Sequence, residues 1–167
     1  MRVAVFDRME QCTEQEVQRM MPLVSAQRRE QAMRYKHTFG QFCCLKSWLM
    51  LKDLIGEVGE WQYNEHGKPF IHHTLYTIHF SISHCKAGIA VAVDDQPIGI
   101  DIEAIRHADE DLIARTMNTE ERLAIKDDRD FIRLWTQKEA VVKMQGTGIE
   151  SFEQLQNVLS TYRHIDI

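Results

Sequence analysis

A chain of 167 residues, 44% of them hydrophobic, suffices for one domain-sized core or two small packed halves and is too short for a multidomain enzyme. The formal charge of −5 is mild and no long block of like charge stands out, which argues against a dedicated nucleic-acid binder. The four cysteines (Cys12, Cys43, Cys44, Cys85) form no C-x-x-C pair and follow no secretory signal, and the apolar run 45–55 is broken by Lys46, Lys52 and Asp53, so a reducing cytoplasm and no membrane association are expected.

In chain order, residues 2–6 read as a strand and 14–21 as a helix closed by Pro22. Ser25 caps an arginine-rich helix through about residue 35. Apolar residues at helical spacing over 39–55 (Phe42, Leu45, Leu49, Leu51, Leu54) predict the main buried helix of the first half, stopped by Gly56 and Gly59. Residues 62–69 carry turn chemistry, and 78–83, 89–93 and 98–103 are strand candidates of an antiparallel sheet. Beyond Glu103 the spacing predicts helices over 109–117, over 119–125 with Thr119 as cap, and over 129–145, the last stopped by Gly146 and Gly148. The tail from Phe152 reads as a short helical turn with a strand beginning near Val158. Two halves, 1–97 and 98–167, are thereby expected in one compact α+β unit, each built around one dominant helix.

Charge inside apolar sequence marks the candidate site. Asp101 and Glu103 stand two apart in Ile98-Gly99-Ile100-Asp101-Ile102-Glu103, which on a strand places both on one face. Two like charges so placed call for a cation between them. Trp135, Glu139 and Lys143 recur at helical spacing in Trp135-Thr136-Gln137-Lys138-Glu139-Ala140-Val141-Val142-Lys143 and share a helix face. Taken singly, D-x-E is most often a solvated or ion-paired structural pair, and Glu139 with Lys143 a surface pair worth a few tenths of a kcal/mol. Three oxygen donors without cysteine or histidine match a hard cation such as Mg²⁺ that shares its coordination with phosphate. Lys68 in a Gly67-Lys68-Pro69 turn and Phe80-Ser81-Ile82-Ser83-His84 at a strand end add groups suited to an anion, although turn lysines and the Arg28-Arg29 face are ordinarily solvated.

These ordered motifs resemble the 4′-phosphopantetheinyl transferases of the surfactin-synthetase-activating type, over most of residues 25–148. The resemblance implies that family's fold, with two pseudo-symmetric α/β halves and antiparallel sheets. It implies transfer of the phosphopantetheine arm of coenzyme A to a serine of an apo acyl or peptidyl carrier protein, with release of 3′,5′-ADP. By the same resemblance, Asp101, Glu103 and Glu139 are the Mg²⁺ ligands, and Glu139 and Lys143 are catalytic, Glu139 deprotonating the carrier serine. Arg28, Lys68, Ser83, His84 and Lys143 are expected to bind coenzyme A, and Glu120 to lie near the site. Two departures stand out: Phe42-Cys43-Cys44-Leu45 occupies the stretch where the family has a phosphate-facing arginine, and a chain ending at Ile167 implies a shortened second half with an exposed sheet edge. A monomer or dimer is expected. Coenzyme A binding without turnover and a Mg²⁺-dependent nuclease or phosphohydrolase are the competing readings; the mild negative charge counts against the second.

Overall fold

A computed structural model describes residues 1–56, 61–72 and 77–161, apart from the side chains of His72 and Thr161. Strands β1 (Arg2–Phe6), β2 (Gln62–Tyr63), β3 (Pro69–His72), β4 (Thr77–Cys85) and β5 (Gly88–Asp94) form one antiparallel sheet in the order β1-β5-β4-β3-β2. Central β5 is buried along nearly its whole length, as its continuous apolar run demands. Its two faces differ in size. Phe80, Ile89, Val91 and Val93 pack into the main core beneath helix α3 (Thr38–Ile55). The opposite face presents Ser81 across from Ala92 and Ser83 across from Ala90, small side chains that let another segment approach the backbone.

Helices α1 (Glu14–Met20) and α2 (Ala26–Met33) lean on α3, each entered through a hydroxyl cap: Thr13 accepts from the Glu16 N–H and Ser25 from the Arg28 N–H. Phe42, Cys43, Leu45 and Leu51 on α3 are fully buried, so Cys43 is core, where a free cysteine behaves as a small apolar side chain. That burial pushes its thiol up to about 12. Gly56 ends α3 at φ +82°, a conformation that favours glycine; Gly59 lies outside the described residues.

The second half is helical: α4 (Glu110–Thr116), α5 (Thr119–Ala124), α6 (Asp128–Gln145) and α7 (Phe152–Thr161). No helix among the described residues is long and apolar enough to cross a membrane. Four expectations are corrected here. Residues 98–103 form no strand: the Ile100 N–H donates to Ser81 Oγ at 3.1 Å and the Ile98 carbonyl accepts from Lys68 Nζ at 3.0 Å, side-chain partners that take the place of a ladder. Val158 sits within α7, buried against Val141 and Val142 of α6, rather than in a strand. Asn118, not Thr119, caps α5, through a capping box with Glu121. The sheet includes β2 and β3, too short for an alternating pattern to reveal. The architecture is α+β, with one sheet contributed by the first half and no strand from the second among the described residues.

Candidate active site

Gly99 sets the geometry. A Cβ at this position would lie 1.8 Å from the Ala140 carbonyl oxygen and 2.6 Å from the Met144 nitrogen, so the segment 98–101 rests directly on the backbone of α6. Held there and tied to Ser81, it delivers Asp101 to two partners. Asp101 Oδ1 accepts from Ser83 Oγ and from Lys143 Nζ, both at 2.6 Å, while Lys143 Nζ also donates to Ser83 Oγ at 3.0 Å. The Asp101 side chain is only 4% exposed, and its Oδ2 is buried with no hydrogen-bond partner among the described residues. An orphaned carboxylate oxygen at that depth is costly and marks a place for a donor or a cation.

Beside this triangle lies a cleft of about 410 Å³ between the sheet and α6, lined by Lys68, Phe80, Ser81, Glu139, Lys143 and Ile149 among others. Glu139 is half-buried, and its carboxyl pKa is raised, first by burial and further by the charges of Asp101 and Glu103, with Lys143 opposing. The three carboxylates therefore share one field. His84, next along β4, meets the ring of Phe39 edge-on at 5.9 Å; burial lowers its pKa and the Lys143 charge adds to that. Lys68 reaches the cleft wall with its ammonium already donating to the carbonyls of Ile98 and Met144, and burial lowers its pKa.

The structure brings Lys68, Glu139 and Lys143 to one cleft, with Ser83 and Asp101 joined to it through Lys143. Arg28 is elsewhere. It is 5% exposed, its guanidinium lying 4.3 Å from the Trp48 ring centre and 3.8 Å from that of Trp61, and it does not line the cleft. Glu120 is on α5, also off the cleft lining. Two residues the sequence reasoning passed over prove structural to the site: Gly99, for which a glycine inside a strand-like run signals close backbone approach, and Asn64, legible only as a turn residue.

The resemblance raises Mg²⁺, and the residues fit it in donor chemistry: an unpartnered buried oxygen on Asp101 and a half-buried Glu139 under the charges of Asp101 and Glu103, all hard oxygen donors. Among the described residues no three histidine, cysteine or carboxylate side chains are gathered into a metal-holding group, and the Lys143 ammonium sits on Asp101 Oδ1.

Residues 97–165 match the model of the 4′-phosphopantetheinyl transferase superfamily. The chain is 30% identical over 152 residues to 4′-phosphopantetheinyl transferase ffp of Bacillus subtilis, covering 82% of this chain and 66% of that protein. Identity to 4′-phosphopantetheinyl transferase Sfp of Bacillus subtilis (strain 168) is 29% over 150 residues, again 82% of this chain and 66% of the relative. To 4′-phosphopantetheinyl transferase AcpT of Salmonella typhi it is 32% over 113 residues, 60% of this chain and 58% of the relative. The chain thus spans just under two thirds of the length of the Bacillus proteins it resembles. The matched stretch contains the 98–103 segment and all of α6, so the part of the chain that carries the cleft's charged helix is the part similar to the 4′-phosphopantetheinyl transferase superfamily.

Proposed function

We propose that the chain transfers the 4′-phosphopantetheine arm of coenzyme A to a serine hydroxyl of an apo acyl or peptidyl carrier protein, releasing 3′,5′-ADP, in the reducing cytoplasm. The observation that carries this reading is the cleft in which one helix presents Glu139 and Lys143 beside Asp101, within a chain similar to this family. Glu139 takes the carrier serine proton, directly or through a water; the serine Oγ forms a bond to the phosphorus that bears the pantetheine arm, and the bond from that phosphorus to the oxygen shared with the ADP phosphate breaks. A carboxylate whose pKa is raised by burial is the better base for an alcohol near neutrality, because its proton affinity is closer to what the step requires. Lys143, already fixed by Asp101 and Ser83, offsets the negative charge that develops on the phosphate oxygens. Asp101, Glu103 and Glu139 would hold Mg²⁺, which when bound neutralises pyrophosphate charge. By the family resemblance His84 would bind the nucleotide phosphates, while the Lys68 ammonium is already engaged by the Ile98 and Met144 carbonyls.

The test is intact mass of an apo carrier after incubation with coenzyme A and Mg²⁺. We expect addition of one phosphopantetheine group, and about 10²- to 10⁴-fold slower addition with a folded Glu139→Gln variant. No mass gain on any fatty-acid, polyketide or peptide carrier defeats the proposal. Calorimetric binding of coenzyme A without transfer would instead support the second reading, a binding module.

A further inference from the structure

The turn between β2 and β3 belongs to the first half, yet its side chains end on the last turn of α6. Asn64 Oδ1 accepts from the backbone N–H groups of His66 at 3.0 Å and Lys68 at 2.7 Å, which closes the turn. That leaves its amide free to point away, and Nδ2 donates to the Gly146 carbonyl at 3.0 Å, 82 residues further along the chain. Lys68 Nζ donates to the Met144 carbonyl at 2.9 Å and to the Ile98 carbonyl at 3.0 Å. Met144 and Gly146 belong to the end of a helix, where the carbonyls lack intrahelical partners and a cation is favoured. Gly146 is suited to the contact, since at φ +73° a Cβ there would lie 2.8 Å from Lys68 Cδ and 3.0 Å from Asn64 Nδ2.

We propose that Asn64 and Lys68 form a latch that positions the C-terminal end of α6 and the 98–101 segment against the sheet, so that Lys68 acts as a positioning residue for Glu139, Lys143 and Asp101. The two carbonyls on Lys68 come from the two pieces of chain that carry those groups: Ile98 stands three residues before Asp101, and Met144 directly follows Lys143. Two of the three ammonium protons are thereby committed to the protein itself. The cleft opens between the elements the latch joins, so its width follows from these three bonds. The kinetic part of the idea rests on the transferase reading; the structural part stands apart from it.

Asn64→Asp separates the two jobs of this residue, because it keeps the oxygen that closes the turn and replaces the donor that reaches Gly146. This variant and Lys68→Met are compared with the parent by amide hydrogen exchange and by phosphopantetheine transfer at a temperature where circular dichroism shows all three folded. Exchange of the Gly146 amide, which donates to the Val142 carbonyl at 2.9 Å, is expected to quicken by about tenfold or more in both variants. The turnover rate is expected to fall about tenfold to a hundredfold in both, with KM for coenzyme A within about threefold of the parent. Unchanged exchange at Gly146 in Asn64→Asp overturns the latch. So does a loss in Lys68→Met confined to KM while Asn64→Asp turns over normally, because that is the signature of a phosphate ligand. If Lys68→Met does not fold, Asn64→Asp alone decides by the same two readouts. If the parent transfers nothing, the functional reading falls, and the exchange measurement still judges the latch.

Discussion

Each half of the molecule buries one cation among the described residues, and the two are accommodated by opposite means. In the first half Arg28 lies between the faces of Trp48 and Trp61, with a further N–H on Cys44 Sγ at 3.8 Å, and no carboxylate pairs with it among the described residues. In the second, Lys138 is fully buried, paired to Glu121 Oε2 at 2.8 Å and donating to the Leu155 carbonyl at 2.5 Å. A guanidinium is planar and weakly hydrated and can stack; a compact ammonium needs an anion once it leaves water. Among the described residues the first half has a single large core that already contains the indoles, whereas the second has two small clusters and uses its ion pair to fasten α5 and α7 to α6. The helix that carries Glu139 and Lys143 is thus held by a buried ion pair as well as by the apolar contacts of Phe131, Ile132, Leu134, Val141 and Val142.

The sharpest way to break this contrast is Lys138→Met. It leaves the Glu121 carboxylate buried without its cation, so a loss of about 3–5 kcal/mol is expected in denaturant unfolding, with part recovered in Lys138→Met/Glu121→Gln. A loss under about 1 kcal/mol would mean the pair is not what fastens the helices. Gly99→Ala comes next. The added methyl meets the α6 backbone, so the segment 98–101 must lift, at a cost of about 1–3 kcal/mol, and transfer should slow further as Asp101 leaves Lys143. Arg28→Met is expected to cost about 1–2 kcal/mol, since cation–π contact is lost while no buried anion is orphaned and methionine fills much of the volume. If Arg28→Met cost more than Lys138→Met, an unseen acidic partner would be implied and the contrast would fail.

Legibility follows the same division. The helices over 38–55 and 128–145 were readable because their apolar spacing serves burial directly, β5 because a strand buried on both faces is a continuous apolar run, and β4 because Ile78, Phe80 and Ile82 alternate with polar residues. The segment 98–103 alternates like a strand, yet its isoleucines serve a stretch wedged between a serine-bearing face and a helix backbone, where a glycine contact and side-chain donors replace the ladder. Periodicity cannot distinguish those two fates. At the site, Asp101, Glu139 and Lys143 stood out because charge interrupted apolar sequence, and the structure brings the first and last into contact. The commitment of Lys68 to two carbonyls and of Arg28 to two indoles was not legible, since both bonds depend on partners distant in sequence or without charge.

The smallest expected effect is a pH dependence carried by Glu139, in the second half. Its folded-state pKa lies above the ordinary carboxylate value because burial disfavours the charged form, so its contribution to stability is fully present below that ordinary value and is lost as pH rises through the raised one. Glutamine has the shape of the protonated acid and never ionises. The melting temperature of Glu139→Gln, measured without coenzyme A or divalent cation, should therefore match the parent in acid and exceed it by a few degrees at neutral pH and above. The midpoint of that divergence reports the raised pKa of the proposed base in the metal-free protein. A melting difference constant with pH would show that Glu139 is solvated like a surface carboxylate, and the cleft would then lack the burial that suits this side chain to accept a proton.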